Sequence, residues 1–135
     1  MALELGIEQA LHELWAATGA LTALVPAARV FTGAAVDRPA TPYVVWQRVG
    51  TTPLARTSSN REVDRTRMRC EIRAEQLTIT KQVAQAVFDV YNRATLTLTT
   101  GTGLNMQHVS YEETLLPEGW WRVVLEFDVL HEGAA

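Results

Sequence analysis

Between Arg61 and Ala74 the chain alternates with a period of two, and few backbones can accept that pattern. Met68, Cys70, Ile72 and Ala74 fall on one side, while Arg65, Arg67, Arg69, Glu71 and Arg73 fall on the other. Only an extended strand sends successive side chains to opposite faces, so this segment must lay one face on a core and turn the other outward. Near the C-terminus the pattern recurs, with Trp121, Val123, Leu125, Phe127 and Val129 expected on the inward face. A strand over about 105–115 and the turn Pro117-Glu118-Gly119 precede it, which predicts an antiparallel hairpin.

Helical spacing appears twice. Leu3, Ile7, Leu11, Leu14 and Thr18 recur at steps of three and four, with Gly19 expected to end that helix. Ile79, Val83, Ala86, Val87, Val90 and Tyr91 make a second stripe behind Thr78, a candidate cap, ending near Arg93. Arg29 to Thr32 reads as a short strand stopped at Gly33, and Tyr43 to Val49 as a strand with apolar residues on both faces. The polar stretch 50–60, rich in Thr and Ser around Pro53, reads as a long connecting arm. The fold class that follows is α+β, a single mostly antiparallel sheet with two helices packed on one face. A length of 135 residues predicts a single domain, 1–135.

With 47% apolar residues and a formal charge of −3, the chain is neither disordered nor a low-complexity fibre. One cysteine precludes an internal disulfide. Acids at Glu4 and Glu8 stand where a secretory signal would carry basic residues, and no apolar run reaches the ~20 residues of a membrane span, so a soluble chain without membrane contact is expected.

No constellation for chemistry survives inspection. His12-Glu13 resembles the start of a zinc-protease helix, but position 16, where the second histidine belongs, is Ala. Cys70 sits on the apolar strand face, where a thiol is a small hydrophobe. Gly101-Thr102-Gly103 lacks a third glycine and a following helix, and so belongs to a turn. Neither catalytic nor cofactor-binding nor metal-ligating residues are expected.

Charge distribution is the remaining signal. Residues 56–73 carry Arg56, Arg61, Arg65, Arg67, Arg69 and Arg73 against three acids, a balance of +3. Residues 112–132 carry six acids against Arg122, a balance of −5. The two blocks either neighbour each other in one sheet or meet between subunits. A nucleic-acid face is the weaker alternative, because no aromatics interleave the arginines and the chain is acidic. On the polar face of the last strand, Trp120 accompanies Arg122, Glu126 and Asp128 as candidate contact residues.

The run Arg29-Val30-Phe31-Thr32-Gly33, a proline-containing loop, and Thr41-Pro42-Tyr43-Val44-Val45-Trp46-Gln47-Arg48 resembles a hallmark of one protein family. That family comprises the tail terminator (tail completion, head–tail joining) proteins of long-tailed bacteriophages, prophages and gene transfer agents. Arg69-Cys70-Glu71-Ile72-Arg73-Ala74 fits its long-strand pattern, and Val83-Ala84-Gln85-Ala86-Val87 resembles its second helix. The resemblance implies a structural virion protein of the tail or neck, assembled in the host cytoplasm, with no catalysis and no cofactor. It implies a homo-oligomeric ring, expected as a hexamer, that caps the tail tube, contacts the tube protein and a head-side connector, and touches passing DNA non-specifically at most. Another neck or connector protein of similar fold is the alternative. Arg56 in the arm, Arg61, Arg65, Arg67 and Arg69 on the strand after it, and Trp120, Arg122, Glu126 and Asp128 near the last strand, are the expected interface residues.

Overall fold

A computed structural model describes residues 6–37, 39–56, 61–98 and 102–134. Its five strands form one sheet in the order β1-β2-β3-β5-β4. The two alternating segments of the sequence are β3 (Arg61–Ala74) and β5 (Trp121–Ala134), paired antiparallel at the centre over their whole length. β4 (Thr102–Leu115) returns beside β5 through the predicted turn, where Gly119 takes φ 89° and the Leu116 N–H donates to the Trp120 carbonyl at 2.7 Å. β2 (Tyr43–Arg56) flanks β3 antiparallel, and β1 (Val30–Thr32) adds to β2 in parallel. The sheet is thus mostly antiparallel, as the hairpin signals implied.

Helix α1 (Ile7–Ala17) and helix α3 (Leu77–Tyr91), with the single-turn α2 (Gly19–Thr22) between them in sequence, supply one layer of the core. Ile7, Leu11 and Trp15 from α1 and Val83, Val87 and Tyr91 from α3 join Val44, Trp46, Met68, Cys70, Ile72, Val123, Leu125 and Phe127 in one buried cluster. Aromatic rings knit its centre. The Tyr91 ring lies 5.0 Å from that of Trp46 and 6.4 Å from those of Trp15 and Phe127, spacings at which tilted and edge contacts are favourable. The Tyr91 hydroxyl donates to the Leu11 carbonyl at 2.6 Å, fixing α1 to α3, and the Trp15 Nε1 donates to the Val25 carbonyl at 2.9 Å.

Several sequence expectations change. The stretch 50–60 is largely not an arm: Gly50–Arg56 continues β2 in register with β3 from Gly50↔Arg67 to Arg56↔Glu62, and 57–60 lie outside the described residues. Bulges between Arg48 and Gly50 and between Pro53 and Ala55 carry the strand through its irregular composition. Trp121 opens β5 beside the turn and is only half-buried, so the fully enclosed tryptophans are Trp15 and Trp46. Thr78 does not cap α3. Gln76 is its N-cap, with its carbonyl bonded to both the N–H and the Oγ1 of Thr80.

Cys70 is fully buried, and burial first, then the charge of Glu71, pushes its thiol well above the ordinary range. A raised pKa favours the neutral form. The associated stability is present below the unfolded-chain value of about 8.5 and is lost as pH rises past it. Native protein at pH 8 should therefore leave a disulfide-exchange chromophore unreacted, and unfolding in guanidinium should release one full equivalent. Rapid native labelling would place the thiol outside the core.

Candidate assembly surface

The helices cover one sheet face, and the alternation of β3 and β5 puts most of their charged side chains on the other, while Glu62 and Asp64 share the parity of the core residues and are buried. Register decides what those charges meet. Arg67 stands opposite Asp128 and Arg69 opposite Glu126. Arg67 donates from Nε to Asp128 Oδ1 at 3.0 Å and from Nη2 to Oδ2 at 3.3 Å, a fork-to-fork pair. Arg69 donates through both Nε and Nη2 to Glu126 Oε2 at 3.3 Å, and Ser110 Oγ donates to the other oxygen of Glu126 at 3.2 Å. In the next row Glu71 accepts from Arg73 Nε at 2.8 Å, with Arg122 Nε 3.8 Å away. The hydrogen bond from Arg67 to Asp128, then their mutual charge, raises the Arg67 guanidinium further above its already high value. For Arg73, burial acts downward, and the bond and charge of Glu71 outweigh it.

The two charge blocks are therefore neighbours within one chain, the first of the two arrangements the sequence allowed. Partly exposed pairs of this kind contribute about 0–1 kcal/mol each, so their main effect is to neutralise and flatten the face. Arg65, opposite Leu130, makes no ion pair among the described residues. Arg56 reaches Glu62 at 3.5 Å near the hairpin end, and Arg61 is the first residue of β3. Trp120 precedes β5 and is half-buried beside the turn. A shallow hollow of about 150 Å³ lies between Arg69, Glu71, Arg122 and Glu126. Arg122 Nε is enclosed there without a hydrogen-bond acceptor.

A second feature escaped the sequence reading. Between α3 and β4 runs a mostly apolar groove of about 510 Å³, lined by Ala84, Phe88, His108, Tyr111 and Leu125 with Lys81 and Glu113 at its rim. The Tyr111 hydroxyl donates to Glu113 Oε1 at 2.8 Å, and Lys81 Nζ lies 3.2 Å from the same oxygen. These contacts, the Tyr111 bond foremost, hold the Glu113 carboxyl below its usual range. Burial, then the bond and charge of Glu113, pushes the Tyr111 hydroxyl up to about 12. The available signal was the two-residue spacing of Tyr111 and Glu113 along β4. Their neighbours on α3 come from a different part of the chain, which periodicity does not link to β4.

Among the described residues, no group of three or more His, Cys, Asp or Glu side chains is disposed to hold a metal, and no helix is long and apolar enough to cross a membrane. His12 Nε2 lies 3.1 Å from the Ala27 carbonyl, which ties α1 to the turn preceding β1.

No curated protein matches the chain by sequence. Among solved structures, a chain from the virion of a native gene transfer agent particle superposes with a TM-score of 0.77 at 20% identity. The match covers 95% of this chain and 96% of that one, so the two share their fold from end to end. A family model, "Tail completion protein gp17", matches residues 9–132, from the first turn of α1 to near the end of β5. The chain belongs to the tail completion protein gp17 family.

Proposed function

We propose that this structural protein of the virion tail or neck assembles as a ring, with six copies expected, that caps the tail tube. The ring ends tube polymerisation and offers its other side to a head-side connector, without catalysis. The observation that carries this reading is the helix-free sheet face. Arg67, Arg69 and Arg73 on it are already held by carboxylates of the same chain, so it is polar and largely neutralised. Such a face suits docking to other protein surfaces, where electrostatic complementarity sets register and selects partners. The unpaired Arg65, together with Arg56 and Arg61 towards the β2–β3 hairpin end, is proposed to contact the tube, and Arg122 and Trp120 at the opposite end to contact the connector. Arg67, Arg69, Glu126 and Asp128 are proposed to support that surface through their mutual pairs.

The same pairs weaken the nucleic-acid reading. Phosphate binding needs cations free to displace counterions, and Arg67, Arg69 and Arg73 are committed to carboxylates. DNA passing through the ring is proposed to make non-specific contact at most.

Light scattering across a dilution series, with and without tube protein, tests the proposal. The expected result is a discrete oligomer and shortened tubes whose ends bear a ring in electron micrographs. Arg65→Glu should leave the melting midpoint unchanged while weakening tube capping several-fold. A chain that stays monomeric and leaves tube lengths unaltered would refute the reading.

A further inference from the structure

The sheet has two lateral edges, and the exposed apolar side chains gather there. Val109, Tyr111 and Leu115 lie on β4, with Phe88 of α3 lining the same groove as Tyr111. Val49 and Leu54 lie on the bulges of β2, and Val36 in the loop that follows β1. Among the described residues these seven are all the large hydrophobics that are exposed. Apolar surface segregated to two opposite edges marks contact sites and not random exposure.

The β4 edge is open over only half its length. At Met106 the carbonyl accepts from the Arg93 N–H at 2.6 Å, and the His108 N–H donates to Asn92 Oδ1 at 3.0 Å, so the chain itself closes that part. Main-chain groups of an antiparallel strand alternate between facing the partner and facing away. Counting along β5 from Val129 and Phe127 to Leu125 and Val123, the groups of Tyr111 and Glu113 point outward like those of Met106 and His108. Among the described residues nothing pairs with them.

Following the register across the sheet shows what stands at the same height on the far side. One row runs Thr32–Trp46–Cys70–Leu125–Tyr111 and another Val30–Val44–Ile72–Val123–Glu113. Among the described residues the outer side of β1 pairs with no strand, its Val30 N–H donating to the Ala27 carbonyl in the turn before it, and it is level with the open half of β4. β1 is parallel to β2, and three successive antiparallel pairings separate β2 from β4, so β1 and β4 run in opposite directions. A copy repeated sideways presents its β1 to β4 in antiparallel sense. Charge favours that unlike pairing. Glu112, Glu113 and Glu118 lie on the β4 side, so two β4 edges facing each other would oppose like charges. Lys81 offsets Glu113 there, and on the β1–β2 side stand Arg29, Arg48 and Arg56, offset in part by Glu8, Asp37 and Glu62.

We infer that the open half of β4, with the Phe88–Tyr111 groove beside it, binds the β1–β2 edge of a second copy of this chain by strand addition. The inference rests on the ring reading and gives it a subunit contact: two different edges that meet head to tail generate a closed ring or a filament, never an isolated pair.

The test places the photo-crosslinker p-benzoylphenylalanine at Tyr111 in the full-length chain, irradiated alone and with tube protein. Adducts between copies should map to residues 29–54. Adducts to residues 109–115 of another copy, or to the tube protein alone, would overturn the inference. A second variant, Val109→Lys with Leu115→Lys, alters two exposed positions. It should raise the dissociation constant of self-association at least tenfold with an unchanged melting midpoint. Assembly unaffected by both lysines would refute the edge contact while leaving the ring intact. Absence of self-association in the parent chain under either condition would remove both.

Discussion

Trp46→Ala should cost about 3–5 kcal/mol, the range for truncating a large aromatic in a closed core. Against a total stability of about 5–15 kcal/mol, that brings the chain close to unfolding at room temperature. Trp46 is 1% exposed and sits where β2, α3 and β5 converge, with its ring 5.0 Å from Tyr91 and 6.2 Å from Phe127. No neighbour can collapse into the space, because Tyr91 is tied to Leu11 and Phe127 to its place in β5. Denaturant titration should show the midpoint falling with an unchanged slope. Trp46→Phe separates packing from polarity. The indole Nε1 is buried with no acceptor, and leaving such a donor unsatisfied costs about 1–3 kcal/mol. Phenylalanine loses ring area but removes that orphan, so its net effect should stay within about 1 kcal/mol of the parent. A Phe variant as damaged as the Ala variant would mean the indole nitrogen has a partner after all.

What could be read from the sequence follows from how local each cause is. The inward faces of β3 and β5 were legible because alternation is a property of the strand itself, and Val123, Leu125, Phe127 and Val129 are all buried. Trp121 obeys the same parity but lies in the last row, opposite Ala74 and Leu115 beside the turn, and parity does not report depth. In α1 the stripe was legible, yet Trp15 was missed in favour of Leu14, because Ala10 is too small to mark the centre of the buried face. The extent of β2 was hidden by Pro53 and the threonines. Past Thr32 that strand has β3 on one side only, and an edge tolerates proline and bulges that a central strand would not.

The charged sheet face was legible as composition and not as arrangement. An excess of Arg in one block and of Glu and Asp in another was visible, and so was the possibility that they adjoin. That Arg67 meets Asp128 and Arg69 meets Glu126 depends on the β3–β5 register, which joins residues about sixty positions apart. The α3–β4 groove was illegible for the same reason.

Gly103→Ala is the other substitution expected to act strongly. Gly103 lies opposite His131 near the start of β4, where the segment leaving α3 crosses the sheet edge. A β-carbon there would land on the main-chain carbonyl of Leu96. No rotamer change relieves a clash with backbone, and Leu96 is itself buried in the core cluster. The gain of about 0.5–1 kcal/mol that Ala normally brings to an extended strand is therefore outweighed. Overpacking of this kind costs about 1–3 kcal/mol, occasionally more. Gly50→Ala is the control of opposite sign, since a β-carbon at Gly50 meets nothing within 4 Å, and it should be neutral or slightly stabilising. The damage at Gly103 should also spread in a defined direction. Pushing Leu96 outward pulls on Arg93 and Asn92, whose bonds to Met106 and His108 close the upper half of the β4 edge. Hydrogen exchange at His108 should accelerate in Gly103→Ala, and the lengthened free edge should make the variant more prone to aggregate. Unchanged protection at His108 would show that the 92–98 segment yields without releasing the strand it covers.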